Sequence, residues 1–299
     1  MKASVENRKT GIITGATTGI GRAAALALAG QGLNLILIAR NERRGNRLAK
    51  QINSKPGSSR AEFMKADISS QKQVHCLANA INGQYERLDI LINNAGARFN
   101  EYGESEDGLE RTFATNHIGH FLLTCLLLDK LRRAPSARII TVSSGAQSQK
   151  VPDSGWYLRS ENFDRSVAYG NSKLANVMFS YELARRLKDH RVASNAMHPG
   201  GVASRFARNN GLISWLKHIG YHTMKRDIVL PSKGAETIIF LATSQAVEGI
   251  TGKYFHRNRE VPSSPGSYDE NAAQALWKLS VELTSLNEGM GDAWKIIKP

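Results

Sequence analysis

Short apolar segments alternate with longer amphipathic segments along most of this chain, and this order limits the folds open to it. The short segments predict strands over Lys9–Thr14, Leu33–Ala39, Ala61–Lys65, Leu88–Ile92, Arg138–Val142, Val192–Met197 and Lys253–His256. Periodicity near 3.6 residues predicts helices over Ile20–Gly30, Asn41–Asn53, Gln71–Ile81, Leu109–Leu131, Ser166–Asp189 and Pro231–Thr243. Strands separated by helices form βαβ units, so we predict an α/β fold. Its core is a doubly wound, parallel seven-stranded sheet of Rossmann type flanked by helices.

The sequence contains no linker, repeat or low-complexity tract, so residues 1–299 are predicted to be a single domain that ends in a C-terminal helix, 272–284. Two stretches interrupt the alternation, at 145–165 and at 201–230. Loops after parallel strands gather at the carboxyl edge of the sheet, where ligands bind. We therefore predict that both stretches are substrate loops, with plain surface loops as the alternative.

The formal net charge of +14 makes nucleic acid one candidate partner. However, the basic residues are scattered and no basic run interleaves with aromatics. We favour a surface that attracts an anionic cofactor, with no nucleic-acid partner. The apolar runs are shorter than the roughly 20 residues that span a bilayer, and Met1–Lys9 is polar, unlike a signal peptide. Cys76 and Cys125 lack metal-ligand spacing. These features predict a cytoplasmic protein without a membrane partner or a metal.

A glycine-rich loop follows the first predicted strand. It reads Thr14-Gly15-Ala16-Thr17-Thr18-Gly19-Ile20-Gly21 and leads directly into a helix. Glycines permit a tight turn and let the backbone approach a phosphate, which the helix N-terminus attracts. A glycine-rich turn that is needed only for steric reasons is the alternative, but the position between first strand and first helix favours dinucleotide binding.

The end of the second strand indicates which dinucleotide binds. Enzymes specific for NAD place an acid there, whereas an arginine accommodates the 2′-phosphate of NADP. This chain has Arg40 and Asn41 at that point, with no acid until Glu42, and Arg22 offers a second positive charge. We predict NADP(H) as the cofactor; two ordinary surface arginines are the alternative.

A tyrosine and a lysine four residues apart, Tyr169 and Lys173, lie near the start of the fifth predicted helix. That spacing places the phenol and the ammonium on one helical face. The free phenol titrates near 10, so proton transfer near neutral pH needs a nearby positive charge, which the lysine can supply. Alone the pair is a weak signal, because many helices carry it on a solvated face.

Together, these and further motifs resemble the short-chain dehydrogenase/reductase family, in the family's order and over almost the whole chain. The motifs are Thr14-Gly15…Gly19-Ile20-Gly21, Ala66-Asp67, Asn93-Asn94-Ala95-Gly96, Asn116, Ser143-Ser144, Tyr169…Lys173 and His198-Pro199-Gly200. Within the family the chain is most similar to the retinol-dehydrogenase-like group. The residues that carry this likeness are Thr115–Phe121, Ser172–Asn176, Gly252–Phe255 and the insertion between Ser144 and Tyr169.

The resemblance implies four catalytic roles. Tyr169 is expected to be the general acid in carbonyl reduction and the general base in alcohol oxidation. Ser144, rather than Ser143, should hydrogen-bond the substrate oxygen. Lys173 should bind the nicotinamide-ribose hydroxyls and lower the tyrosine pKa, and Asn116 should hold a water that relays protons to the lysine.

The resemblance also implies a set of cofactor contacts around the adenine, the ribose and the nicotinamide. A serine stands where many relatives have a threonine that reaches the carboxamide. The expected set is Gly15, Thr17, Thr18, Gly19, Ile20, Gly21, Arg22, Arg40, Asn41, Asp67, Ile68, Asn94, Ala95, Gly96, Tyr169, Lys173, Pro199, Gly200, Val202 and Ser204. His117, His120 and His198 are expected to be structural.

These motifs predict an NADP(H)-dependent oxidoreductase that interconverts a carbonyl and an alcohol on a medium to large, mostly apolar small molecule, as in secondary metabolism. The candidate pocket residues are Arg98, Phe99, Trp156, Tyr157, Phe206 and Trp215. The alternatives are a redox-neutral biosynthetic cyclase or isomerase on the same fold, and a cofactor-sensing regulatory or nucleic-acid-binding protein. Membrane-bound retinol dehydrogenases carry an apolar N-terminal anchor, and its absence argues for a soluble enzyme. Relatives pair through the two long helices, so a homodimer or homotetramer is expected.

Overall fold

Eight strands form the central sheet of the computed structural model, which describes residues 8–55, 59–153, 155–202 and 228–299. The strands run in the order β10–β9–β6–β5–β4–β1–β2–β3. Their bounds are β1 Thr10–Thr14, β2 Asn34–Ala39, β3 Ala61–Lys65, β4 Ile90–Asn93, β5 Ala137–Val142, β6 Val192–Met197, β9 Tyr254–His256 and β10 Arg259–Glu260. A separate parallel pair joins β7 Gly201–Val202 to β8 Ile228–Val229.

Helices connect the strands and cover both faces of the sheet. Their bounds are α1 Gly19–Gly30, α2 Glu42–Asn53, α3 Gln71–Gln84, α4 Arg111–Phe113, α5 Gly119–Arg132, α6 Arg165–Arg186, α7 Pro231–Thr243, α8 Glu270–Leu283 and α9 Trp294–Ile297. A π-helical turn, Ala114–Ile118, joins α4 to α5. None of the helices described is both long enough and apolar enough to cross a bilayer.

The predicted doubly wound sheet is confirmed, but the predicted count of seven strands was wrong. The seven predicted strands are all present and parallel, and β10 pairs antiparallel with β9 at the edge of the sheet. The two strands meet in a tight turn at Arg257 and Asn258, with φ of 48° and 62°. Because β10 consists of two exposed charged residues, it carries no apolar pattern from which a strand could have been predicted.

Two apolar layers hold the helices against the sheet. On one face, α3, α5 and α6 pack with the C-terminal segment in a cluster that includes Phe121, Phe179 and Trp277. On the other face, α1, α2 and α7 pack in a second cluster, which includes Leu28 and Ile238. Strand β1 lies between β2 and β4, so the connections diverge at its carboxyl end and open a crevice there. The candidate site lies in this crevice.

The C-terminal segment covers helices α5 and α6. Between positions 168 and 184 of α6, Tyr169 is the one residue that is not buried. The indole of Trp277 in α8 donates to the carbonyl oxygen of Ile297 at 2.6 Å. The guanidinium of Arg186 lies 4.4 Å from the Trp277 ring and donates to the carbonyl oxygens of Ile296 and Lys298. The faces of α5 and α6 to which the sequence resemblance assigned pairing are therefore packed against this chain's own C-terminal residues.

This covering leads to a prediction about assembly that differs from the one drawn from the sequence. Since a dimer through α5 and α6 would require displacement of a buried tryptophan cluster, we expect the chain to be monomeric. Light scattering coupled to size exclusion should give a mass near 32.8 kDa. A stable dimer would contradict this expectation, and its loss when surface positions of α5 or α6 are changed would show that these helices mediate the pairing.

Candidate active site

The glycine-rich loop folds tightly against the turn that follows β4. Gly15 and Gly19 have φ of 66° and 52°, a region that favours glycine. A Cβ at Gly15 would lie 3.0 Å from the Cα of Ala95, and one at Gly21 would lie 2.5 Å from Nδ2 of Asn94. No side chain therefore fits at either position. The side chain of Thr18 makes no capping bond at the N-terminus of α1, which leaves the amide groups of this end directed at a ligand.

Two of the predicted phosphate-binding arginines lie at the edge of this crevice. Arg40, with its side chain 60% exposed, forms an ion pair with Asp67 at 3.5 Å. Arg22 is also exposed and donates to Oε1 of Gln51 at 2.9 Å. Both side chains lie at the surface, where an anionic ligand can reach them. Asn41, the next predicted contact, caps α2 by accepting from the amide of Arg44.

A cavity of about 220 Å³ opens next to Arg40 and Asp67. Phe99 and Arg111 also line it, with the guanidinium 4.6 Å from the phenyl ring. Phe99 was predicted to line the substrate pocket, but the structure places it in this cavity beside the predicted adenine contacts. Ile68, on the same stretch of chain, is buried.

The turn after β4 is fixed to the end of β1. The amides of Asn94 and Ala95 both donate to Oγ1 of Thr14 at 2.9 Å. Nδ2 of Asn94 also donates to the carbonyl oxygen of Thr14 at 2.7 Å. Gly96 follows directly, so the three predicted ribose contacts stand beside the glycine-rich loop, as the sequence indicated.

Helix α6 carries Tyr169 and Lys173 into the carboxyl edge of the sheet. Asp164 caps its start by accepting from the amides of Ser166 and Val167. Lys173 is buried, and its Nζ donates to the carbonyl oxygen of Val142 at 3.0 Å, at the end of β5. The same nitrogen lies 5.8 Å from the centroid of the Tyr169 ring. The pair therefore faces inward, unlike a pair on a solvated helical face.

Ser144 is the second residue after β5 and is hydrogen-bonded to the phenol of Tyr169. The neighbouring Ser143 is buried and donates to the carbonyl oxygen of Lys173 at 2.7 Å. Its hydroxyl is thus used inside the fold. Of the two serines, Ser144 alone has its side chain beside the phenol, so it stays the one predicted to face the substrate.

Asn116 lies in the π-helical turn, and its side chain connects three segments. Its Nδ2 donates to the carbonyl oxygen of Ala97 and to Oγ of Ser172, both at 2.9 Å. Its Oδ1 accepts from the amide of Ala97 at 2.7 Å. Every polar atom of the buried amide is used, so the side chain holds the loop after β4 against α6 and does not contact Lys173.

Burial dominates the acid–base properties of the pair. It lowers the pKa of Lys173 to about 7. It raises the pKa of Tyr169, and the hydrogen bond from Ser144 and the positive charge of Arg98 offset part of that rise. Arg98, which the sequence had suggested only as a pocket residue, is thus a second positive charge that acts on the phenol besides the nearby Lys173.

The remaining predicted contacts divide between the site and the core. Pro199 and Gly200 follow the carboxyl end of β6, and Gly200 has a φ of 80°. Val202 is buried and packs closely against Gly234. A Cβ added to Gly234 would lie 2.8 Å from the Val202 side chain and 3.4 Å from the Ile20 side chain. Thr17 is partly buried in the loop.

Two of the aromatic pocket candidates, Trp156 and Tyr157, pack in an apolar cluster with α4 and α6. Trp156 is buried in a cluster with Leu109 and Leu174, and the ring of Tyr157 lies 5.5 Å from that of Phe113. Both residues pack against α4 and α6, and the prediction that they line the substrate pocket stays a prediction. Ser204, Phe206 and Trp215 lie outside the described residues.

A tyrosine that the sequence did not indicate as a site residue lies behind Ser144. Tyr254 is 2% exposed, and its hydroxyl donates to the carbonyl oxygen of Ser144 at 3.2 Å. Next to it, the rings of His198 and His256 are stacked 3.9 Å apart. Tyr254 lies within a motif that resembles the family, but nothing in a linear sequence shows that β9 and β5 flank the same strand, β6. Among the described residues, no group of His, Cys, Asp and Glu could hold a metal ion.

Comparison with known proteins identifies the class. The family model described as short chain dehydrogenase matches residues 9–212. The chain therefore belongs to the short-chain dehydrogenase family, and as a member it is an oxidoreductase that uses a nicotinamide cofactor.

Its relatives define the group within the family. Retinol dehydrogenase 12 of Homo sapiens is 36% identical over 280 residues, which cover 93% of this chain and 87% of that protein. Retinol dehydrogenase 13 of Mus musculus is 37% identical over 287 residues, covering 93% and 84%. The chain thus falls in the retinol-dehydrogenase-like group.

Solved structures show the same fold. An uncharacterized protein from Mycobacterium Paratuberculosis is 29% identical, with a TM-score of 0.72, and the match covers 95% of this chain and 98% of that one. L-Sorbose reductase from Gluconobacter frateurii, crystallised with NADPH and L-sorbose, is 21% identical with a TM-score of 0.68, covering 83% and 94%.

Proposed function

We propose that this protein is an NADP(H)-dependent enzyme that interconverts a carbonyl and an alcohol on a medium to large, mostly apolar small molecule. One observation carries the proposal: Ser144 is hydrogen-bonded to Tyr169 while the ammonium of Lys173 is buried behind the phenol. The proposal includes the cytoplasmic location expected from the sequence, which fractionation of cells would test. The redox-neutral and nucleic-acid-binding alternatives gain nothing from the comparisons, because the matched family and the named relatives are dehydrogenases.

The residues present fit a dinucleotide. Gly15 and Gly21 let the loop pack closely against the turn after β4, and the α1 N-terminus without a side-chain cap suits a pyrophosphate. Arg40 would hold a 2′-phosphate through a charge-assisted bidentate contact. Asp67 would accept from the adenine, and Lys173 would bind the ribose hydroxyls. When bound, the cofactor supplies or accepts a hydride.

The protein's own residues handle the proton and the developing charge. In the reductive direction, the hydroxyl of Tyr169 donates its proton to the substrate oxygen, and Ser144 donates a hydrogen bond to the same oxygen. In the oxidative direction, the tyrosine oxygen accepts that proton. A positive charge from Lys173 or Arg98 near the phenol stabilises its ionised form. Tyr254 holds the Ser144 backbone, so the serine hydroxyl keeps its orientation.

Arg98 offers a test of this electrostatic account. Since its positive charge lowers the pKa of Tyr169, the change Arg98→Gln should raise that pKa. A smaller fraction of the phenol is then ionised at a given pH, so the pH profile of alcohol oxidation should move to higher pH. Arg98→Lys should restore much of the profile.

The matched control is Arg165→Gln, which removes an exposed arginine whose side chain bonds Asn100. Its pH profile should stay in place. A profile that does not move in Arg98→Gln, or that moves equally in both variants, would contradict a direct action of Arg98 on the phenol.

A further inference from the structure

A buried histidine connects the cofactor side of the site to its proton-transfer side. The connection begins at Oγ1 of Thr14, which accepts the amide protons of Asn94 and Ala95. Thr14 is fully buried, so its own hydroxyl proton also needs an acceptor. The nearest is Nε2 of His120, at 2.9 Å, whereas the carbonyl oxygen of Ile92 lies farther away, at 3.4 Å.

The other ring nitrogen fixes the tautomer. Nδ1 of His120 lies 3.0 Å from the carbonyl oxygen of Asn116, which can only accept, so Nδ1 carries the proton. Burial lowers the pKa of His120 to about 4, so the ring is neutral and Nε2 is a free acceptor. The hydroxyl of Thr14 therefore donates to Nε2. Each ring nitrogen of His120 thus has one hydrogen-bond partner: Nδ1 donates to the carbonyl oxygen of Asn116, and Nε2 accepts from the hydroxyl of Thr14.

Beyond the histidine, the connection reaches the catalytic helix. The carbonyl that His120 contacts belongs to Asn116, whose side chain is bonded to Ala97 and Ser172. Ser172 immediately precedes Lys173 and lies in α6. We propose that His120 is a positioning residue that couples the turn after β4, where the cofactor ribose would bind, to the π-helical turn behind Tyr169. The inference deepens the proposed function. Its predictions for NADPH affinity and kcat rest on that function, whereas the tautomer of His120 does not.

The tautomer is tested first, in the unchanged protein and without turnover. Burial lowers the pKa of His117 and His198 as well, so nitrogen-15 NMR of the histidine-labelled chain should contain several rings that stay neutral through mildly acidic pH, and the one that belongs to His120 should carry its proton on Nδ1. That signal should vanish in His120→Gln, which assigns it among the eight histidines. A proton on Nε2, or a ring that becomes charged near neutral pH, would overturn the proposal.

Two variants then separate the two contacts. His120→Asn places an amide nitrogen near the Nδ1 position, so it keeps the bond to Asn116 and loses the one to Thr14. Its larger effect should be on the dissociation constant of NADPH, which should rise about fivefold, the size expected for one neutral hydrogen bond. His120→Gln reaches the Nε2 position and loses the bond to Asn116. The larger effect of His120→Gln should be on kcat, which should fall about fivefold.

Thr14 gives an independent pair of variants. Thr14→Val removes the hydroxyl, so it loses the bond to His120 and also the acceptor for the amides of Asn94 and Ala95. NADPH affinity should therefore fall more than in His120→Asn, whereas Thr14→Ser should bind as the unchanged protein does. Added to His120→Asn, Thr14→Val should cause less loss than it causes in the unchanged protein, because the bond between the two residues is already broken. His75→Gln, on a partly exposed histidine of α3, is the control.

The outcomes separate failure of the inference from failure of the function. If affinity and kcat fall equally in both His120 variants, in step with the melting temperature, His120 is only a packing residue and the inference fails. If the unchanged protein does not bind NADPH, the proposed function fails. The NMR tautomer then still decides whether the connection through His120 exists.

Discussion

Replacing Tyr169 by phenylalanine should reduce kcat about a thousandfold, the scale at which a positioned general acid or base contributes. The reason is that the variant keeps the ring against Lys173 but removes the hydroxyl that is hydrogen-bonded to Ser144. The dissociation constant of NADPH should change by less than about threefold, since one neutral hydroxyl contributes little to the whole contact. Steady-state rates and a fluorescence titration of NADPH measure the two quantities separately.

Tyr268→Phe is the matched control for this change. Tyr268 is 56% exposed and contacts Tyr181, not Tyr169 or Ser144, so removal of its hydroxyl should leave kcat within the error of the assay. If Tyr169→Phe retains a substantial rate, Tyr169 is not the proton donor. If it loses affinity for NADPH in proportion to kcat, the tyrosine acts on binding, which also contradicts the proposed role.

The change Arg40→Asp should weaken NADPH binding about a hundredfold and affect NADH by less than about threefold. The variant removes a charge-assisted contact with the 2′-phosphate and places a like charge beside it, next to Asp67. NADH has no phosphate at that position, so it loses only a weak surface interaction. Titrations of both cofactors at one ionic strength make the comparison.

Arg43→Asp, on the exposed side of α2, makes the same change of charge nearby and serves as the control. A small, equal effect on both cofactors is expected there, because long-range attraction is screened by salt. If Arg40→Asp weakens NADPH and NADH equally, the arginine does not read the 2′-phosphate. The assignment of NADP(H) would then fail, while the assignment of the family would stand.

The sheet could be predicted because its strands are buried on both faces. Segments such as Asn34–Ala39 are nearly continuous apolar runs, and helices of regular period separate them, so the βαβ order follows from the sequence. The edge strand Arg259–Glu260 could not be predicted, since it is held by backbone bonds to β9 and not by an apolar face. The covering of α5 and α6 was missed for a similar reason: it depends on contacts more than 90 residues apart, such as that of Arg186 with Ile296.

The site was predicted where chemistry is local and was missed where it depends on tertiary contacts. Tyr169 and Lys173 share a helix, and Gly15 shares a loop with Gly21, so their spacing was informative. By contrast, Tyr254 reaches Ser144 only because β9 and β5 both flank β6. His120 was expected to be structural, and the structure adds that its two nitrogens contact two different parts of the site.

The most direct measurement is the rate of NADPH oxidation by the purified chain with a panel of apolar aldehydes and ketones, run beside Tyr169→Phe. The account predicts turnover of at least one apolar carbonyl compound, with the variant slower by about a thousandfold at unchanged NADPH affinity. Apolar aldehydes with a long chain or a ring should react faster than small polar ones. If NADPH binds but no carbonyl compound on the panel is reduced, or if the variant reduces it as fast as the unchanged protein, the proposed activity of Tyr169 is contradicted.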